Sequence, residues 1–279
     1  VIMRINDEDH IVFMRVSNAA ESFEDMWWSL DTASRKLEKY LPFAKNFEYG
    51  YLTPNPENVG TGLRLATCFS FLGLYLMGEL EQVLCGLERL GFEVRPMVSI
   101  DGVESGNAGQ TAAPGYCYRV STTQTVGHVE DLIERADRIF AEIALQEQNA
   151  RLRLVNQKIH LAQDFFFRSV AVASVAVTLS EYEALDILYS IVYGIDMGFL
   201  EAPDVDFDEL LELTFCGFEM FGEDIEGMDG DLVLAIHRAA ILRNVSRPFM
   251  KLCLDYINEL DGLSPKGKKK RGKNKPPDS

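Results

Sequence analysis

The sequence predicts an α+β fold, on two observations. Strand-like runs near residues 1–16, 47–71, 92–99 and 116–123 alternate irregularly with helical stretches, without the strand–helix–strand regularity of a doubly wound sheet. Beyond residue 127 helical periodicity fills the chain to about residue 262. At 279 residues, 47% apolar and 25% charged, there is length for one large domain or two smaller ones around an ordinary globular core.

The elements follow in order. Residues 1–5 and 11–16 read as strands on either side of Asn6-Asp7-Glu8-Asp9-His10, a cluster of turn formers. Because the first strand opens the chain, the sequence reads as one that begins inside a sheet, with a first domain expected upstream. Over residues 21–41, Phe23, Met26, Trp27, Leu30, Leu37 and Leu41 recur near helical spacing. Adjacent Trp27 and Trp28 read as packing residues. Residues 47–52 form the next strand and enter a loop bounded by Gly50 and Arg64. In it Pro54 and Pro56 stiffen the backbone, and Gly60 and Gly62 permit close approach to a bound group. Arg64 presents a planar five-donor fork suited to phosphate or carboxylate. Taken alone, the stretch is equally a surface turn closed by an exposed arginine.

Residues 63–71 leave this loop as a strand, a helix spans about 74–90 up to Gly91, and 92–99 form another strand. Residues 108–118 make a long loop rich in Gly, Ala and Pro, which reads equally as a functional lid or as a disordered elaboration. Residues 129–154 carry Leu132, Ile133, Ile139, Phe140, Ile143, Leu145 and Leu154 near helical spacing. Ser180-Glu181-Tyr182-Glu183 is a capping box that opens a further helix. Residues 201–262 remain helical in pattern.

The net charge of −16 conceals an asymmetry. Seven Lys/Arg crowd residues 265–279 against Asp278, leaving 20 basic and 42 acidic side chains before them, a net of −22. An acidic body of this kind argues against nucleic-acid binding, which rests on neutralising phosphates. The tail after Ser264 reads as a solvated basic arm. Five scattered cysteines without a C-x-x-C pair point to reduced thiols in a cytoplasmic protein, and to neither a disulfide framework nor a zinc site. The longest uncharged run, residues 65–78, is short for a membrane span.

Tyr51-Leu52-Thr53-Pro54-Asn55-Pro56-Glu57-Asn58-Val59-Gly60-Thr61-Gly62-Leu63-Arg64 resembles the ATP:guanido phosphotransferases (phosphagen kinases), and the bacterial protein-arginine kinases most closely. The resemblance implies an antiparallel, saddle-like sheet flanked by helices. It further implies transfer of the ATP γ-phosphate to an arginine guanidinium, in a protein or a small guanidino compound, with Mg²⁺. Arg64 and Arg95 would then hold nucleotide phosphate, with His10 and the segment Leu65, Ala66, Thr67, Cys68 completing the nucleotide site. Asn6–His10 resembles the family's Asn-Glu-Glu-Asp-His, which gives Glu8 the part of a carboxylate that orients and deprotonates the guanidinium. Asp101-Gly102-Val103-Glu104-Ser105-Gly106-Asn107 resembles Glu-Gly-Ser-Glu-Ala-x-Gly-Asn with a one-residue slip, placing Asp101 as the second carboxylate.

The chain also departs from the family pattern. The arginine expected two residues after His10 is Val12, the second glutamate position is Ile100, and the arginine before Gly194 is Tyr193. An Arg-Asp pair of a regulatory phosphoarginine pocket is replaced by Leu234 and Ala235. Gln146–Arg151 and Asp164–Arg168 also look family-like, and read as structural ion pairs on packed helices. The expected organisation is a catalytic-type domain over 1–200, a helical extension over 201–262 and a basic tail over 263–279. The alternative to an active enzyme is a degenerate pseudokinase serving as a nucleotide-binding or scaffold subunit. A homodimer is allowed; nucleic acid and membrane are not expected partners.

Overall fold

The computed structural model describes residues 1–17, 21–97, 113–200 and 230–263, and the chain divides into two compact units, Val1–Ala162 and Gln163–Ser279. The first unit is α+β and the described part of the second is helical.

In the first unit, β1 (Ile2–Ile5) and β2 (Ile11–Met14) pair as an antiparallel hairpin, with Ile2 opposite Met14 and Ile5 opposite Ile11. Asn6 closes it at φ 55, a left-handed conformation that Asn tolerates, and its N–H donates to the His10 carbonyl at 3.0 Å. Helix α1 (Phe23–Glu38) starts at Ser22, whose hydroxyl accepts from the Asp25 N–H at 3.1 Å. Glu24 and Asp25 in its first turn and Arg35 and Lys36 in its last oppose the helix dipole.

The single strand expected over 47–52 is instead a hairpin of β3 (Lys45–Asn46) and β4 (Gly50–Tyr51). Its cause is local: the Asn46 side-chain oxygen accepts from the N–H groups of Glu48 and Tyr49, at 2.7 and 3.2 Å, and turns the chain. The helix expected over 74–90 is likewise two, α2 (Leu72–Met77) and α3 (Leu80–Arg89). Between them Gly78, at φ 81, ends the first helix in a left-handed cap, and the Glu79 N–H returns to the Leu74 carbonyl at 2.8 Å.

The main sheet joins β5 (Ala66–Ser70), β6 (Phe92–Pro96) and β7 (Cys117–Thr122) in the order β5-β7-β6, antiparallel throughout. Among the described residues, antiparallel pairing thus falls into three small sheets. One face of the main sheet is apolar. Phe69 and Phe92 meet Phe140 of α4 (Val129–Gln157) at ring-centroid distances of 5.9 and 5.7 Å, and Phe23 of α1 reaches the same ring at 5.7 Å. Val120, Phe71 and Leu72 are fully buried nearby. Each such side chain contributes roughly 1.5–3 kcal/mol by burial, so this aromatic layer fixes the sheet on α4. Glu147 of α4 is buried and accepts from the Gly73 and Leu74 N–H groups at 2.8 and 3.0 Å, capping α2, whose own N-cap makes no side-chain bond. Arg151 Nε lies 2.6 Å from the same carboxylate, so the Glu147–Arg151 motif is structural, as expected.

In the second unit α5 (Ile159–Val175), α6 (Glu181–Asp196) and α7 (Gly230–Leu263) pack around Val170, Leu188, Ile191, Leu242 and Phe249. The capping box at Ser180 and Glu183 forms as the sequence predicts. Asp164 and Arg168 make an exposed pair one turn apart at 2.7 Å, again structural. Residues 201–229 and the basic tail from 264 lie outside the described residues. Among the described residues no helix is long and apolar enough to cross a membrane.

Candidate functional site

The loop between Gly50 and Arg64 is held from behind by the chain itself. Tyr51 and Gly60 exchange backbone hydrogen bonds at 2.8 and 3.1 Å, and the Thr61 N–H donates to the Thr125 carbonyl at 2.8 Å. The Thr125 hydroxyl donates to the Val59 carbonyl at 2.7 Å. Gly60 has φ 121, and a Cβ there would lie 2.6 Å from the Thr125 oxygen. The close approach that Gly60 permits is therefore to Thr125, which corrects the expectation of a bound group at that position. Within the loop, Pro56–Asn58 forms a 3-10 turn that Asn55 caps by accepting the Glu57 N–H at 3.0 Å.

The β1–β2 turn docks on this capped turn through Asp9. Its carboxylate is buried and accepts from the Asn55 N–H at 3.1 Å and from Asn58 Nδ2 at 2.6 Å. Beside it Glu8 is exposed and accepts a hydrogen bond from Asn55 Nδ2. A polar line runs on from there through the Glu57 backbone, whose N–H donates to the Asn55 side chain. The Glu57 carboxylate lies 3.2 Å from Arg64 Nη2, the Glu93 carboxylate 4.0 Å from Arg64 Nη1, and Glu93 also pairs with Arg95. Glu8, Arg64 and Arg95, distant in sequence, are thereby placed on one connected surface. Arg64 keeps a buried Nε without a hydrogen-bond partner among the described residues.

Strand register explains how the two arginines meet. Ala66, Ser121 and Glu93 form one rung of the main sheet, and Cys68, Arg119 and Arg95 form another two residues along. Alternation puts both rungs on the face opposite the aromatic layer. Ala66, Cys68, Arg119 and Arg95 are exposed there. Leu65 is buried, with its backbone bonded to Thr122 in both directions at 3.1 and 2.8 Å, and half-buried Thr67 alternates to the apolar side. Of the expected nucleotide segment the structure thus brings Ala66 and Cys68 to the open face with Arg64 and Arg95. His10 is exposed at the base of the first hairpin, outside the polar line. Asp101 and Ile100 lie outside the described residues.

Residues 1–150 match the family model of the ATP:guanido phosphotransferase C-terminal catalytic domain. The chain belongs to the ATP:guanido phosphotransferase family. Among its relatives is a protein-arginine kinase of Halothermothrix orenii, 31% identical over 214 residues that make up 76% of this chain and 58% of that protein. A protein-arginine kinase of Moorella thermoacetica is 31% identical over 249 residues, 88% of this chain and 67% of that one. The chain therefore spans about three-fifths of the length of the first of these relatives. A solved structure, the duplicated taurocyamine kinase from Schistosoma mansoni, superposes with a TM-score of 0.39 at 21% identity, over 62% of this chain and 25% of that one.

Four residues of this polar surface escape a reading of the sequence by motif. Asp9 and Asn55 sit inside recognised motifs, but their contact joins two of them. Glu93 and Arg119 are visible only once the strands are registered. Arg4 is a related case: it lies directly opposite Val12 in the hairpin, on the same face, and pairs with Asp7 at 2.6 Å. The donors around Glu93 fit a phosphate group, since Arg64 and Arg95 already surround an oxyanion. Among the described residues no cluster of three or more Asp, Glu, His or Cys side chains is placed to hold a metal. Mg²⁺ in nucleotide sites keeps much of its water and rides on substrate phosphates with one or two carboxylates, so its fit here rests on the phosphate site.

Proposed function

We propose that this chain is the catalytic-domain part of an ATP:guanido phosphotransferase of the protein-arginine kinase type. In this reading Arg64 and Arg95 hold the nucleotide phosphates and Glu8 receives the acceptor guanidinium. The observation that carries it is the series of polar contacts from Glu8 through Asn55, the Glu57 backbone N–H and carboxylate, Arg64 and, across 4.0 Å, Glu93 to Arg95. Phosphoryl transfer asks a protein for positioning and charge neutralisation more than for covalent steps. ATP supplies the phosphoryl group. The arginine forks offset negative charge at one end, and the exposed Glu8 carboxylate accepts N–H donors and a proton from the acceptor at the other. Asp101 is the proposed second carboxylate, and the acceptor a protein arginine or a small guanidino compound. The proposed catalytic-type domain extends to about residue 200, followed by a helical extension, in a cytoplasmic protein.

Calorimetry with Mg-ATP tests the reading. Arg64→Ala and Arg95→Ala each remove a charge-assisted contact worth about 1.5–3 kcal/mol, so affinity falls by about tenfold or more. A folded sample that binds no Mg-ATP overturns it. Val12, Leu234 and Ala235 favour a second reading, a nucleotide-binding scaffold without turnover. Phosphoarginine formed on an arginine-rich protein with ATP, and abolished by Glu8→Gln, overturns that alternative.

A further inference from the structure

The open face of the main sheet sets two guanidinium groups directly across from each other. Arg119 of β7 and Arg95 of β6 are register partners, and both are exposed. Like charges directly opposite on neighbouring strands destabilise a sheet. Such a pair is tolerated best when an anion lies against it. One carboxylate stands on the strands of the face itself. Glu93, a rung away, pairs with Arg95, lies 4.0 Å from Arg64 Nη1 and accepts from the Ser121 hydroxyl at 3.3 Å. Its oxygens are thus engaged with Arg64, Arg95 and Ser121, and Arg119 has no ion pair among the described residues. Three guanidinium groups share this face with Glu93, while the largely exposed Glu57 reaches only Arg64, from the loop at 3.2 Å, on a body whose first 264 residues carry a net charge of −22. The small side chain of Ala66, exposed on the Glu93 rung, leaves that end of the face open.

We propose that Arg119 is a third anion-binding residue of this face, and that Glu93 is the resident carboxylate displaced when a polyphosphate binds. The inference rests on the reading of this face as the phosphate side of a nucleotide site, and adds to it a further ligand and an internal competitor. Neighbouring strands are spaced about 4.8 Å apart, so linked phosphates crossing the face meet guanidinium groups from successive strands. Each phosphate oxygen gains a charge-assisted bond. Glu93, released from Arg64 and Arg95, turns to water, which its quarter-exposed side chain already touches.

The test is calorimetry on the full chain, with sodium tripolyphosphate and with Mg-ATP as separate probes. Arg119→Gln weakens tripolyphosphate binding about tenfold, Glu93→Gln strengthens it about tenfold, and the double variant returns near the starting affinity. Arg119→Lys recovers part of the loss, since it restores the charge without the planar fork. Arg138→Gln, exposed on α4, is the control for net charge. Unchanged urea midpoints establish that each variant is folded. The inference is overturned if Glu93→Gln leaves affinity unchanged or lowers it, or if Arg119→Gln moves it no more than Arg138→Gln. Tripolyphosphate shifts without Mg-ATP binding or phosphoarginine would support this inference and sink the kinase reading. Phosphoarginine formation with neither variant shifting affinity would do the reverse.

Discussion

Asp9→Ala tests whether the first hairpin is positioned by its buried carboxylate. Asp9 is 8% exposed and accepts two hydrogen bonds from the opposing loop, one from the Asn55 N–H at 3.1 Å and one from Asn58 Nδ2 at 2.6 Å. A hydrogen bond to a charged group is worth about 1.5–3 kcal/mol. The two share one carboxylate, so their losses do not add. Truncation also strands the Asn58 amide, whose Oδ1 already lacks a partner. Water entering beside exposed Glu8 offsets part of this, and a net loss of about 2–4 kcal/mol is expected. Trp27 and Trp28 both lie on α1 in the first unit, so tryptophan fluorescence follows that unit alone through a urea titration. The expected result is a midpoint lowered by about 1 M or more at constant slope. Asp7→Ala, which removes an exposed pair with Arg4, is the control and costs about 0–1 kcal/mol. Nucleotide affinity is expected to survive, because Asp9 touches neither Arg64 nor Arg95, whereas transfer to the acceptor falls as Glu8 loses its support. A variant as stable as Asp7→Ala, or one that loses nucleotide binding in step with stability, would refute the argument.

Two further expectations follow from single groups. Glu79 and Arg153 form a two-pronged pair at 2.7 and 2.6 Å, and the hydrogen bonds from Arg153 hold the Glu79 carboxyl below its ordinary pKa. A depressed carboxylate contributes stability above the unfolded value, about 4.3, and loses it as pH falls through the lower folded value. Both side chains are more than a third exposed, which limits the contribution at pH 7 to about 0.5–1 kcal/mol. Urea midpoints of Glu79→Gln and the parent chain should converge as pH falls below 4, and a constant gap would contradict the assignment. Thiol chemistry reads the open face: Cys68 is exposed there, whereas burial pushes the Cys253 thiol up to about 11. At pH 8 iodoacetamide should label Cys68 well before Cys253, and tripolyphosphate should slow only the former, as resolved by peptide mass spectrometry. Equal rates at the two sites, or no protection, would contradict that placement.

What could be read in the sequence was local. The capping box at Ser180 and the Asn6–His10 turn each depend on residues a few positions apart, and each forms as expected. Helix α1 forms too, but it stops at Glu38 short of Leu41, and Trp28, read as a packing residue, is exposed. The two misread elements were also local in cause but masked by apolar pattern. Asn46 turns a strand into a hairpin, and Gly78 breaks one helix into two. The family motifs located Glu8, Arg64 and Arg95 but not what joins them, because Asn55–Glu8 and Arg64–Glu93 are contacts between strands and loops far apart in the chain. Val12 shows the same limit from the other side. Read along the chain, it is a missing arginine. Read across the hairpin, its register partner is Arg4, whose guanidinium stands on the same face and is held by exposed Asp7. The charge absent from one strand is present on its neighbour, so the loss at position 12 has to be judged on the paired strands together.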